Sequence, residues 1–126
     1  MIKILDMKKS IEKYFGENYT ATPIHYAGMK FDTKSNDAWV FFEYAGKSSG
    51  DLGLDTSETR HDGYIRIMSL AKTPFIATQN ADTALLVFKG VKINGAYCGS
   101  ITIVDQGYIE DIDRSFIELE IKISHI

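Results

Sequence analysis

Cysteine, proline and long apolar runs are scarce in this sequence, and each scarcity excludes a class of protein. With Cys98 as the only cysteine, the chain forms no internal disulfide and no cluster of thiolate metal ligands. No apolar run approaches the roughly 20 residues that a membrane-spanning helix needs. Charged residues interrupt the apolar N-terminal segment, which does not fit a secretory signal peptide. We therefore expect a soluble, cytosol-made protein without a membrane segment.

Excess positive charge is also missing. The formal net charge is −3 and the sequence pI is about 5.5. Lys8-Lys9 is the only adjacent pair of basic residues. A general nucleic-acid binder needs a basic stripe to displace counterions, so this class is disfavoured. The 44% hydrophobic and 25% charged residues are typical of a globular chain, and 126 residues suit a single domain over residues 1–126.

The central part of the chain, residues 62–90, predicts a strand, a turn and a helix. Residues 63–70 alternate, with Ile65 and Ile67 on one face. Thr73 suits the N-cap and Pro74 the first helical position, while Gly90 suits a left-handed C-terminal cap. Apolar residues follow at helical spacing: Ala77, Ala81, Ala84, Leu85 and Phe88. A strand that leads this directly into an amphipathic helix indicates a helix packed on a sheet.

The N-terminal segment predicts a second helix. Residues 2–15 place apolar side chains on one stripe, and Gly16 would end the helix. The alternative is a short strand over residues 2–5 followed by a helix that Asp6 caps. Residues 18–26 favour an extended chain, with Pro23 near a sheet edge, and residues 27–36 suit a connector.

Residues 38–44 form the most apolar predicted strand. Trp39 and Phe41 share one face, whereas Val40, Phe42 and Tyr44 share the other. A strand that is apolar on both faces is expected in the interior of a sheet or covered on both sides. If helices cover one face, something else covers the other, which is a first indication of an assembly.

Residues 46–61 give the strongest loop pattern, because they are long, charged and rich in Gly and Ser. A loop longer than about 12–15 residues in a compact domain is usually functional or disordered. The alternative is a long hairpin whose arms order only against a neighbouring molecule.

The C-terminal third predicts strands joined by turns. A short strand at residues 91–93 leads through the hairpin dipeptide Asn94-Gly95 into a strand over residues 97–104. Residues 105–107 suit a turn and residues 110–113 an acidic connector. The last strand alternates cleanly, with Ile117, Leu119, Ile121 and Ile123 on its apolar face. The whole pattern predicts an α+β, two-layer sandwich. Its mixed, mostly antiparallel sheet would have about five strands, with two helices on one face and a long protruding loop.

Residues with reactive side chains form no recognisable constellation. His25, His61 and His125 lie far apart in sequence, which does not suggest a metal site. Cys98 has no nearby histidine to act as a base and better fits a small strand residue. The acidic run at residues 110–113 lacks the glycine and the ligand spacing of a calcium loop. We therefore predict no catalytic residues, no metal and no cofactor.

The order of segments nevertheless resembles a known family. The N-terminal helix is followed by Thr22-Pro23-Ile24-His25-Tyr26, a loop with Phe31, the Trp39-Val40 strand and a long variable loop. Then come Arg60, Gly63-Tyr64-Ile65-Arg66-Ile67, a helix with Ala81-Asp82 and Phe88, and a final alternating strand. This order resembles the tail terminator proteins of long-tailed bacteriophages, the lambda-type minor tail protein U group and its prophage relatives. The family's Tyr-Pro-Asn after the first strand stands here as Tyr26-Ala27-Gly28, which leaves that turn's conformation open.

The resemblance implies a structural protein of the virion tail and not an enzyme. Members form a hexameric ring that caps the tail tube, stops its polymerisation and offers a surface to the head–tail connector, while DNA passes through without sequence-specific binding. Expected partners are therefore other copies of the chain, the tail tube protein and the connector, and the chain would be made in the host cytoplasm. Residues expected at these interfaces are Trp39, Phe41, Asp51, Leu52, Leu54, Asp55, Glu58, Arg60, Tyr64 and Arg66.

Two other functions remain open at this point. The chain would serve as another neck or tail component, such as a completion or connector subunit, if its loss left tails of normal length without heads. It would be a small ligand-binding or enzymatic α+β domain if its fold formed a concave pocket with convergent polar groups.

Overall fold

Two helices and six strands make up the fold in the computed structural model, which describes residues 4–50 and 59–125. In chain order the elements are α1 (Ile4–Asn18), β1 (Ile24–Tyr26), β2 (Ala38–Gly50), β3 (Thr59–Ala71), α2 (Pro74–Phe88), β4 (Lys92–Ile93), β5 (Ala96–Ile109) and β6 (Arg114–His125). The strands form one sheet in the order β1-β2-β3-β6-β5-β4. Strands β1 and β2 are parallel and the other described pairs are antiparallel. The predicted α+β class is confirmed, with six strands rather than about five.

Both helices pack on the same face of the sheet. Ile11 and Phe15 from α1 are fully buried, as is Phe88 from α2. The rings of Phe15 and Phe42 stack at 4.6 Å, and those of Phe15 and Phe88 at 5.6 Å, so both helices meet over the middle of β2. The predicted apolar row of β6, Ile117 to Ile123, is buried beneath them. Each such side chain contributes about 1.5–3 kcal/mol on burial.

Helix α1 continues past the predicted stop at Gly16, and that prediction was wrong. The helix ends at Asn18, whose side-chain amide donates to the carbonyl of Tyr14 at 2.8 Å. Tyr19 follows and is buried against Phe15, with stacked rings 4.9 Å apart. A glycine in a helix interior costs only about 1 kcal/mol, which this aromatic packing offsets.

The extended run predicted over residues 18–26 is mostly not a strand. The described strand β1 covers Ile24–Tyr26 alone. After it, a turn closes with Met29 N–H donating to the carbonyl of Tyr26 at 3.1 Å. Gly28 has φ +81° in this turn and so adopts the left-handed conformation that glycine tolerates, which determines the conformation of the Tyr26-Ala27-Gly28 turn.

Strands β2 and β3 form a long hairpin where a loop over residues 46–61 was predicted. Their register runs without a shift from Ala38 opposite Ala71 to Gly50 opposite Thr59. The arms therefore pair with each other within one chain, and the predicted loop bounds were wrong. Glycine and serine suppressed the strand pattern in the sequence, although backbone pairing needs no particular side chain.

Strand β5 also extends further than predicted, because residues 105–107 form an irregularity in the strand and not a turn. The register between β5 and β6 shifts between Asp105 and Gly107. Gly107 has φ +73°, and its N–H donates to the Asp105 carboxylate at 2.9 Å. A bulge of this kind bends the strand without ending it. The strand then reaches Ile109 before the short 3₁₀ turn at Glu110–Ile112.

The predicted ends of α2 and the predicted tight hairpin are confirmed. The Thr73 hydroxyl accepts the Ile76 N–H at 3.3 Å, Pro74 is the first helical residue, and Gly90 has φ +68° just after the helix. Asn94 and Gly95 both have positive φ, 49° and 82°, as a type I′ hairpin turn requires.

Candidate partner interface

The face of the sheet opposite the helices is the largest surface that the helices leave uncovered, and we call it the open face. Strand alternation and register place a mixed set of side chains there, some apolar and some charged. Its members from the three central strands and β5 are Trp39, Phe41, Glu43, Tyr64, Arg66, Met68, Leu70, Thr102, Val104, Phe116, Glu118, Glu120 and Lys122.

One end of the open face is covered by the chain itself. Phe31, in the connector between β1 and β2, stacks on His25 at 5.1 Å and lies 5.9 Å from Trp39. Phe41 meets the edge of the His25 ring at 5.2 Å. Trp39 is consequently only 3% exposed. The apolar second face of the 38–44 strand is therefore explained in part by this connector, without a neighbouring subunit.

Arg114 fixes that connector to β6. Its guanidinium lies over the Trp39 ring at 5.4 Å and donates to the carbonyls of Asn36 and Asp113, each at 2.8 Å. The Arg114 Nε is buried without a hydrogen-bond partner among the described atoms. This cation joins β6, the connector and the aromatic cluster, so it acts as a structural clamp.

The middle of the open face is charged and partly accessible. The Arg66 Nε donates to the Glu118 carboxylate at 2.6 Å, and the Gln106 amide donates to its other oxygen at 3.3 Å. Tyr64 is 39% exposed beside them, opposite Lys122 in the register. Tyr64 and Arg66, which were predicted at interfaces, thus lie together on accessible surface. Their contact with a partner stays a prediction.

The remaining predicted contact residues fall elsewhere. Asp51, Leu52, Leu54, Asp55 and Glu58 lie outside the described residues, as does the side chain of Arg60, whose backbone belongs to β3. Phe41 is half-buried against His25. The residues therefore divide between the covered end of the open face, its accessible middle and the β2–β3 junction.

Two unpaired strand edges are the part of the surface that sequence reasoning missed. Strand β1 pairs with β2 only at Val40–Phe42, and beyond these residues no described strand pairs with that side of β2. Strand β4 pairs with β5 only at Ala96 and Tyr97, and beyond Cys98 no described strand pairs with the outer side of β5. The shortness of β4 was predicted from the sequence, whereas that of β1 and the strand order that places both at the edges were not.

Cys98 and the histidines are the potentially reactive residues that the sequence singled out. Burial raises the pKa of the Cys98 thiol to about 11, so the neutral form prevails at physiological pH and the sulfur is a poor nucleophile. His61 and His125 stand opposite each other in the β3–β6 register, although their separation in sequence suggested no proximity. Within the described part of the chain, no group of three or more His, Cys, Asp or Glu side chains is placed to hold a metal ion. Also within that part, no helix is long and apolar enough to cross a membrane.

Comparison with known proteins gives likenesses to solved structures alone. No protein-family model matches the chain, and no curated protein matches it. Among solved structures it is similar to the sheath/tube terminator of an extracellular contractile injection system (PVC) in the extended state, with a TM-score of 0.46 and 16% sequence identity. The match covers 99% of this chain but 57% of that chain. That protein is the terminator of a sheath and tube, and this likeness assigns no function to the present chain.

Proposed function

We propose that this chain is a structural subunit of a tail terminator, which assembles into a ring at the end of a tail tube. In this role it stops tube polymerisation and offers its outer surface to the head–tail connector, with no catalysis and no cofactor. The ring is the hexamer that the family resemblance implies. The particle is a phage or prophage tail, and DNA passes through the ring without sequence-specific contacts.

The observation that carries this proposal is the distribution of accessible backbone and side chains. The described residues leave part of one sheet face and two strand edges uncovered, whereas the thiol of Cys98 is held protonated by burial. Sheet faces and free edges suit contacts with other proteins more than they suit a small ligand, which needs a concave site. The segment order from α1 to β6 is the second support, because it follows that of the phage family.

The net charge of −3 also fits a ring through which DNA moves. An acidic lining repels phosphates, so a passing duplex would slide instead of binding. The summed charge of the chain supports this role, and no residue is assigned to the lining.

The proposal is tested by comparing particles made with and without this chain by negative-stain electron microscopy. We expect tubes of excessive and variable length without attached heads when the chain is absent, and normal length when the wild-type chain is supplied again. Tubes of normal length that lack heads would instead identify a completion or connector subunit. Particles of unaltered length and attachment would overturn both functions.

A further inference from the structure

We propose that copies of this chain join edge to edge, with the free edge of β2 from one copy pairing antiparallel with the free edge of β5 from the next. The inference deepens the proposed function, because it specifies the contact that would close the ring. It rests on the direction in which the backbone groups point, on the order of the strands, and on the offset between the two free edges.

The free segment of β2 presents hydrogen-bonding groups outward. Val40 N–H donates to the carbonyl of Pro23 at 3.1 Å, and the carbonyl of Phe42 accepts Ala27 N–H at 2.9 Å, both on the side away from β3. Backbone groups alternate sides along an antiparallel strand, and β2 pairs with β3 without a register shift. Gly46 and Ser48 are separated from Val40 and Phe42 by even numbers of residues, so their N–H and C=O groups also point away from β3.

The free segment of β5 does the same on the opposite side of the sheet. Cys98 N–H donates to the carbonyl of Val91 at 3.0 Å, away from β6. Cys98 lies opposite Ile123. Ile101 and Ile103 lie opposite Ile121 and Leu119. These two residues are two and four positions from Ile123 on β6, so their backbone groups point to the same side as those of Ile123. The N–H groups of Ile101 and Ile103 therefore also point outward.

The strand order makes these two edges complementary. Neighbours in β2-β3-β6-β5 are all antiparallel, so β2 and β5 run in opposite directions. A second copy placed beside the first continues the sheet with an antiparallel pair. Because the two edges differ, the contact is heterologous, and repetition by rotation closes a ring.

The offset between the edges gives the expected strand tilt. Within one copy Ile103 lies level with Phe42, because Ile103 pairs with Leu119, Leu119 with Ile67, and Ile67 with Phe42. If Ile103 pairs with Ser48 of the next copy, the contact is displaced by six residues along β2. Six residues advance about 20 Å along a strand, and one copy contributes four strand spacings, or about 19 Å, across the sheet. The resulting tilt of about 45° lies within the range of closed β-barrels.

Two of the features that prevent edge pairing, proline and charge, are missing from the middle of the β5 edge, although β5 has register shifts between Cys98 and Ile101 and between Asp105 and Gly107. Residues 99–104 contain neither proline nor a charged side chain. Ile103 and Val104 are 54% and 42% exposed, and a paired copy would cover part of each. A monomer that kept this edge free would carry a site for uncontrolled association.

Two proline variants test the pairing, with oligomeric mass measured by size-exclusion chromatography and light scattering. Ile103→Pro removes an outward N–H of β5, and Ser48→Pro removes one of β2, while neither removes a bond to the adjacent strand. We expect each variant alone to be monomeric and the equimolar mixture to form a heterodimer that grows no further, because each variant retains one intact edge. Ile103→Ala and Ser48→Ala keep the N–H groups and should assemble as the wild type does.

Circular dichroism establishes that each variant folds, and Ile101→Pro replaces Ile103→Pro if the latter does not. A dimer of Ser48→Pro alone would show that β5 pairs with itself, which overturns the proposal. Unaltered assembly of both proline variants, or a wild type that stays monomeric at its highest soluble concentration, would overturn it as well. None of these three results measures tail length in particles, so the edge contact and the proposed function can fail separately.

Discussion

Arg114 shows how one buried cation organises a region that carries no regular secondary structure. Its guanidinium stacks on Trp39 and donates to the carbonyl of Asn36, which holds the connector before β2 against the last strand. A hydrogen bond from a charged donor contributes about 1.5–3 kcal/mol, and a desolvated cation–π contact adds up to about 2 kcal/mol. This residue therefore determines whether the Trp39 end of the open face stays covered.

Replacing Arg114 with alanine is expected to lower the free energy of unfolding by about 2–3 kcal/mol, because it removes buried hydrogen bonds and the stacked cation. The matched change Arg66→Ala breaks a partly exposed ion pair with Glu118 and should cost less than about 1 kcal/mol. Urea unfolding of both variants, followed by tryptophan fluorescence, measures the difference. Equal losses would contradict the role assigned to Arg114.

Cys98 gives a prediction at the same scale. Burial raises the pKa of its thiol to about 11, so deprotonation is suppressed in the folded chain compared with an exposed cysteine. At pH 8 the native thiol should therefore react with a thiol reagent roughly 100-fold more slowly than the urea-unfolded chain, and its rate should keep rising as pH approaches 11. A colorimetric thiol assay at several pH values measures both rates. Equal native and unfolded rates would show that burial does not control this sulfur.

At the scale of single elements, α2 is specified mainly by its own sequence. The hydroxyl of Thr73 caps its first turn, and Ala77, Ala81 and Ala84 lie flat against the sheet. Small side chains on the packed stripe allow the helix to approach the strands closely, and Ser69 uses this proximity to donate to the carbonyl of Ala77 at 2.8 Å. Local capping and tertiary packing thus favour the same conformation.

Removing the cap tests this element. Thr73→Ala leaves the Ile76 N–H without its side-chain acceptor and is expected to lower the free energy of unfolding by about 1 kcal/mol. Thr78→Ala is the control, because Thr78 is exposed and only bonds back to the carbonyl of Pro74 within the helix. We expect the control to be neutral or slightly stabilising in thermal or urea unfolding. A similar loss in both variants would contradict the capping argument.

At the scale of the whole molecule, the long β2–β3 hairpin and the two free edges govern what this chain is able to contact. Ser49 and Arg60 stand opposite each other near the end of the register, and the alternation along β2 points their N–H and C=O groups at each other, so a two-residue turn suffices to join the arms. Residues 50–59 are therefore not needed to join the two strands. This separation allows a role in assembly to be tested apart from folding.

Replacing residues 50–59 with Asn-Gly should leave the free energy of unfolding within about 1 kcal/mol of the wild type, since loop length changes closure entropy only slowly. If these residues contact the tube or the next subunit, as the resemblance implies, tube capping is lost, and electron microscopy shows overlong tails. A Gly/Ser segment of the original length separates loop length from loop sequence. Normal tails with the shortened hairpin would remove the loop from the proposed interface.

The sequence by itself determined the α+β class, both helices, the Thr73 and Gly90 caps and the apolar row of β6, because these depend on local periodicity and on residues near each other in the chain. Strand order, the pairing of the Gly/Ser-rich arms and the clamp of Arg114 on Trp39 depend on contacts distant in sequence, so only the tertiary structure decided them. The candidate contact surface divides in the same way. Alternation predicted that Tyr64 and Arg66 share a face, whereas the free edges of β2 and β5 exist only because β1 and β4 are too short to cover their neighbours.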